Sequence, residues 1–353
     1  MSCSLSRSWA REPGRVGGTE FGANPSLFLS TWKVGGTIMS GVQGFGETKF
    51  IVDLQAQQHW NWQVAFYLYG AGTSAGLIFL EVVLRGIGVV DGGTALWGMW
   101  IGLALALVSL GFLFDHLGPR SRWGFFYAFR RPRTSWTARG ATIMTVLVLL
   151  QFLVLLPSVR GFDGLPWDEG TASGIILRAA IVLFALAFMA YSGLVLSSWN
   201  SIAFWNTPAL PILYVGYSFL CGMAALLLVE LITGWGKGLG IVGPVLWPYL
   251  LALLLGNAFV LLVYVWGMSS GTLPARESVR RLVRGEHRRS FWAGTVSLGL
   301  VLPTLVVAFA ASGQLGTGTA TTLLLAVTCV AIQVGGFLLR DNILRVGIFG
   351  YPV

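Results

Sequence analysis

Four stretches gather the side chains of this protein that are able to do chemistry. The first is Gln58-His59-Trp60-Asn61-Trp62-Gln63, followed by Tyr67 and Tyr69; the second is Asp115-His116, with Arg120 and Arg122 just beyond. The third is Tyr191-Ser192 with Ser197-Ser198-Trp199-Asn200, and the fourth is Trp205-Asn206-Thr207-Pro208. An imidazole, an amide and a phenol set among indoles suit a flat apolar ring that carries two carbonyl oxygens. A quinone head group is such a ring: it needs a hydrogen-bond partner for each carbonyl, apolar walls, and a proton route from water. His59, Asn61 and Tyr191 are candidates for the hydrogen bonds, Trp62 and the indoles near it for the walls, and Asp115 for proton exchange. Taken singly, the Trp and Tyr residues also fit an ordinary interfacial belt, and Asp115 a helix-end ion pair with Arg120 or Arg122. Their convergence carries the functional reading.

A second polar group, Glu81, Arg85, Arg178 and Glu230, falls toward the opposite end of the same apolar stretches. Glu81 and Arg85 stand at i,i+4 and can pair on one helix face. Carboxylates placed there either relay protons or fix helix rotation through ion pairs, and both readings stay open. Gln151, Asn257 and Gln333 are isolated amides inside apolar stretches, where interhelical hydrogen bonds are expected. Haem is not expected: His59 and His116 sit at the ends of apolar stretches and His287 in a basic loop, so no axial pair lies between helices. Cys3, Cys221 and Cys329 are far apart with no CxxC spacing, so neither an iron–sulfur cluster nor a metal site is expected in this protein.

These groups need elements to position them, and composition says which. Hydrophobic residues make up 55% of the 353 positions and charged residues 10%, and the mean hydropathy is +0.74. A soluble domain carries about 25% charged residues; hydrocarbon imposes the deficit, because a charge at mid-bilayer costs several kcal/mol. Eight stretches, 63–89, 95–114, 140–159, 174–197, 209–233, 242–268, 291–312 and 318–339, reach or approach the ~20 residues that cross a bilayer. The expected fold is all-α, a polytopic membrane protein of eight transmembrane helices arranged as two four-helix bundles. Trp60-Asn61 before the first span and Trp205-Asn206 before the fifth hint at a parallel duplication of four helices. Residues 1–55 are expected to be an extramembrane segment that contacts a partner, 56–345 the membrane domain and 346–353 a tail.

An even number of spans puts both termini on one side. All but four of the 23 lysines and arginines fall on that side, the four being Arg85, Arg160, Arg178 and Lys237. The positive-inside rule makes that side cytoplasmic, in the inner (cytoplasmic) membrane; the same arginines could instead dock a partner subunit. The net charge of +9 then reports topology and an acidic partner or lipid surface, and no nucleic acid is expected.

Three segments resemble a known family. "HWNWQVAFYLYGAGTSAGLIFLE", "FDHLGPRSRW…SWTARGA" and "AYSGLVLSSWNSIAFWNTPALPILYVGYSFLCG" are similar to the first helix, the Asp-containing loop and the helix-four to helix-five turn of the NrfD/polysulfide reductase membrane-subunit family. The resemblance runs from about residue 56 to 345. It implies an eight-helix anchor without cofactors of its own, which binds a quinone (menaquinone or ubiquinone) as an exchangeable substrate. It also implies a ferredoxin-like iron–sulfur subunit as electron partner and a catalytic subunit, with a molybdopterin centre, beyond it. By motif position the family's quinone ligands fall on Gln58, Asn61 and Tyr191; the family has histidine at the place of Asn61, whereas this sequence has His59 two residues earlier. Glu81 and Glu230 join Asp115 as candidates for proton exchange. Arg120, Arg122, Arg130, Arg131, Arg133, Arg281 and Arg284 would form the docking surface. The expected function is thus the quinone-reacting membrane subunit of an oxidoreductase complex, its rivals being a secondary transporter and an anchor that binds no quinone.

Overall fold

A computed structural model describes residues 55–117, 136–162, 164–167, 170–234, 242–315 and 318–350. It also describes a small unit of its own within Met1–Ile51, where Lys33–Val34 pairs antiparallel with Thr37–Ile38. The expected docking residues Arg120, Arg122, Arg130, Arg131 and Arg133 lie outside the described residues.

Eight helices among the described residues are long and apolar enough to cross a membrane, and the protein is a multi-pass membrane protein. α1 spans Trp62–Gly86 and α2 Gly92–His116. α3 spans Trp136–Leu155, with a tighter turn to Ser158, and α4 Ala172–Ser197. α5 spans Ala209–Thr233 and α6 Val242–Ser269. A short surface helix, α7, covers Leu273–Val283; α8 is Ser290–Ala311 and α9 Thr319–Arg345.

The starts are set by side chains that satisfy free backbone N–H groups. Asn61 accepts from the Gln63 amide before α1, Asp91 from those of Gly93 and Thr94 before α2, and Thr171 from that of Gly174 before α4. α8 is π-helical over Ser290–Val301 and α-helical over Leu302–Ala311. The change falls just before Pro303, which has no N–H to donate and is tolerated in the first turn of the α-helical half.

α1 and α5 occupy the centre. α1 packs on α2, α4, α5 and α9, while α5 packs on α1, α4, α6 and α9. The two central helices touch backbone to backbone: a Cβ on Gly222 would overlap the Gly76 carbonyl carbon, and one on Gly76 the Ser218 carbonyl oxygen. Only glycine lets them approach so closely. Outer helices turn Ile175, Ile176, Leu183, Phe259, Leu262 and Trp266 outward, as lipid contact requires.

Two boundaries differ from expectation. The last helix runs to Arg345, past the expected end at 339, so Arg340 lies inside the bundle at 0% exposure rather than beyond it. And the basic loop 269–290 contains α7, whose buried Pro274, Ala275, Ser278, Val279 and Leu282 form one apolar stripe. The tail is also part of the fold: Ala56 bridges Ile348, Phe349 N–H donates to the Gln55 carbonyl, and Gly350 N–H to that of Ser201.

Candidate functional site

The approach to α1 is built before any ligand chemistry. Gln57 donates through Nε2 to the carbonyls of Trp60 and Leu344, both at 2.9 Å, and accepts from the Trp60 amide at 2.8 Å. Trp60 packs edge-on against Trp199 and tilted against Trp205, whose indole N–H donates to the Ile343 carbonyl at 2.9 Å. The two Trp-Asn pairs that marked the repeat in the sequence therefore meet the same structure, the end of α9 and the α4–α5 turn. Trp60 and Trp205 hold the terminus-bearing face together.

Asn61 then starts α1, and its Nδ2 donates to Gln63 Oε1 at 2.8 Å. Gln63 in turn donates through Nε2 to Asp115 Oδ2 at 2.5 Å, at the end of α2. One turn deeper on the same side of α1 is Tyr67, 6% exposed, whose ring meets Phe188 of α4 edge-on at 6.5 Å. Phe188 lies 5.8 Å from the ring of Tyr191, also 6% exposed. Tyr191 reaches across to α3 and lies on Gly140, filling the space where a Cβ would stand. Neither phenol hydrogen-bonds to a described residue. The structure thus brings Asn61, Asp115 and Tyr191 to the first four helices at one face, with Gln63 and Tyr67 between them.

The other expected quinone residues stand apart from this group. Gln58 and His59 are exposed, and Trp62, 45% exposed, turns toward Phe112 on the outer side of α2. Gln63 and Tyr67 belong among the site residues by geometry; their signal in the sequence is the i,i+4 spacing below Asn61.

Toward the opposite face, Glu81 turns into the α1–α2 contact at 1% exposure, with Oε1 2.6 Å from where a Gly98 Cβ would stand. Neither of its oxygens has a hydrogen-bond partner among the described residues, so the expected pair with Arg85 is not formed; Arg85 reaches the Val90 carbonyl instead. Glu230 is bonded: Thr94 Oγ1 lies 2.8 Å from Glu230 Oε2 and 2.9 Å from Asp91 Oδ2. One hydroxyl hydrogen cannot serve two carboxylates, so this cluster is fully bonded only when one of them carries a proton. Asp91, outside the span, is held below its ordinary range, above all by the backbone amide of Thr94. Of the three isolated amides, Gln333 bridges helices, accepting from Tyr69 Oη and donating to the Cys221 carbonyl, both at 2.8 Å. Asn257 bonds back to Leu253 of its own helix, and the Gln151 amide has no partner among the described residues.

On the terminus-bearing face, α7 points its basic side outward. Arg280 forks onto Glu277 with two bonds of 2.6 Å, Arg281 reaches Glu277 at 3.3 Å, and Arg284 is exposed. The hydrogen bond from Arg280 holds the Glu277 carboxyl below the usual range. Burial, with Arg345 nearby, pushes the His287 imidazole down.

Residues 53–350 match the family model "Polysulphide reductase, NrfD". The protein belongs to the NrfD family. Among curated NrfD-type relatives, a polysulfide reductase subunit of Wolinella succinogenes is 28% identical over 279 residues, 70% of this sequence and 82% of that protein. Protein NrfD of Escherichia coli is 26% identical, over 70% of this sequence and 83% of its own length. A NrfD homolog of Haemophilus influenzae is 23% identical, over 71% and 83%. Membership in this family supports the role of membrane subunit in a redox complex.

Proposed function

We propose that this protein is the membrane anchor and quinone-reacting subunit of an oxidoreductase complex, exchanging electrons between the quinone pool and an iron–sulfur partner. One observation carries the reading. Two buried phenols from different helices, Tyr67 and Tyr191, have hydroxyls without partners among the described residues, and a polar relay, Asn61–Gln63–Asp115, leads from the surface to the turn above them. Buried hydroxyls are normally paired with protein or water, and a quinone carbonyl is the acceptor that suits them. Tyr191 donates to one carbonyl, Tyr67 or Asn61 serves the other, and Asp115 passes protons to water through Gln63. His59, Gln58 and Trp62 fit the mouth of such a site.

The partners in this reading are a ferredoxin-like iron–sulfur subunit and a molybdopterin-bearing catalytic subunit. They dock on the terminus-bearing face through residues 1–55, the basic loop after α2 and the arginines of α7. We place that face in the cytoplasm on the excess of basic residues. Glu81 and Glu230 are proposed to hold protons near the opposite face, Glu230 through the shared hydrogen of Thr94. In the same reading the Trp-Asn repeat relates two bundles of four, with α1 and α5 as equivalent centres.

The test is quinol turnover by the purified complex and binding of a quinone-site inhibitor, in Tyr191→Phe, Tyr67→Phe and Asn61→Ala. Loss of turnover by tenfold or more, corresponding to about 1.4 kcal/mol, is expected for Tyr191→Phe. Unchanged rates and inhibitor binding in all three variants would remove the assignment.

A further inference from the structure

The most unusual group in the molecule is Arg340. Its side chain is fully buried, at 0% exposure, five residues before the end of α9. Arginine stays charged at any physiological pH. Yet its described partners are all neutral: the Gly336 carbonyl at 3.1 Å, Ser218 Oγ at 3.2 Å, and the faces of two tyrosines. The guanidinium carbon is 5.3 Å from the ring centre of Tyr214 and 6.0 Å from that of Tyr69. Asp341, the next residue along, turns outward and pairs with Arg345 at 2.8 Å.

Two features of this group ask for a further occupant. Arg340 Nε and the hydroxyls of Tyr214 and Tyr217 are buried without hydrogen-bond partners among the described residues. They belong to one place: around the point where a Gly336 Cβ would stand, Arg340 Nη1 is at 3.7 Å and the Tyr217 ring at 3.8 Å. All three are donors. Cation–π contact with two rings offsets only part of what an unpaired charge costs away from water. Water would satisfy the donors but leave the charge uncompensated.

We propose that the junction of α1, α5 and α9 holds a small monovalent anion of halide size, bound by Arg340 Nε and the hydroxyls of Tyr214 and Tyr217. The anion neutralises the guanidinium and takes up the orphaned donors, which locks the two central helices to α9. This site is independent of the quinone reading: Tyr69 and Arg340 lie on the α9 side of α1, whereas Tyr67 faces α4.

The complex is heated in sodium gluconate, chloride and bromide at equal ionic strength, and crystals grown in bromide are measured at the bromine edge. In the wild type the unfolding midpoint rises with halide and saturates, as binding to the folded state alone requires. Arg340→Gln loses that rise, Arg340→Lys keeps part of it, and one bromide peak appears beside Arg340 Nε. Equal midpoints in the three salts for the wild type would overturn the proposal, as would a halide effect undiminished in Arg340→Gln. Only water in the density beside Nε would overturn it as well, and that measurement decides the matter if Arg340→Gln fails to assemble. Halide dependence seen only after Cys221→Ser would place the negative charge on the neighbouring thiolate, and would equally end it.

Discussion

Gly140 shows how a residue without a side chain sets the chemistry of one with a phenol. The Tyr191 ring occupies the space of the missing Cβ, so Gly140→Ala must push the ring off α3. We expect this variant to insert and assemble normally while quinol turnover falls by about tenfold, some 1.4 kcal/mol of misplacement. Tyr191→Phe should lose turnover with the ring still in place, and comparison of the two separates position from hydroxyl. Asp91 gives a prediction in pH. Its carboxyl is held below its ordinary value of 3.8, chiefly by the Thr94 amide. A lowered folded value means that its stabilisation is present above 3.8 and is lost as pH falls through the folded value. Asn also caps helices well, so Asp91→Asn should change the neutral-pH midpoint little and flatten the loss of stability in acid. Asp91→Ala should cost about 1 kcal/mol at neutral pH.

At the scale of elements, the design is two central helices that only glycine allows to meet. Gly222→Val would drive methyl groups into the Gly76 carbonyl carbon and the Leu77 amide, neither of which is a flexible side-chain tip. Loss of the assembled protein from the membrane is the expected outcome, read by immunoblot of solubilised complex. The terminus-bearing face is fixed differently, by indoles. Trp205→Ala removes a fully buried ring and its bond to Ile343, at a cost of about 3–5 kcal/mol, and should loosen α9 and the segment before α1 together. Proteolysis within residues 346–350 would report it. Helix α7, by contrast, is held by its buried stripe. Glu277→Ala should therefore change stability by under about 1 kcal/mol, since the arginines it pairs are solvated.

For the whole molecule the property to test is sidedness. A cysteine at Glu286, in a protein whose Cys3 is replaced by serine, should resist an impermeant thiol reagent in intact cells and react after permeabilisation. Cys221 and Cys329 are buried and will not confuse the readout. Labelling in intact cells would turn the molecule over and make the basic face a docking surface alone. The quinone and proton assignments would survive that outcome with their sides exchanged.

Composition and segment length by themselves determined the helices, their number and the shared side of the termini, because hydrocarbon tolerates few charges and requires backbone bonds to close within each span. The sequence also marked Asn61, Asp115 and Tyr191 as lying at one face and similar depth, since rise per residue converts position into depth. Which way each side chain turns about its helix was beyond it. Gln63 and Tyr67 joined that group, and Trp60 and Trp205 became struts, only once α1, α4 and α9 were packed. Hydropathy placed Arg340 outside the membrane, as a charge should be; two tyrosine faces and the glycines at 335 and 336 make room for it inside. Rotation and neighbourhood are set by contacts between helices far apart in the sequence, and no local pattern encodes them.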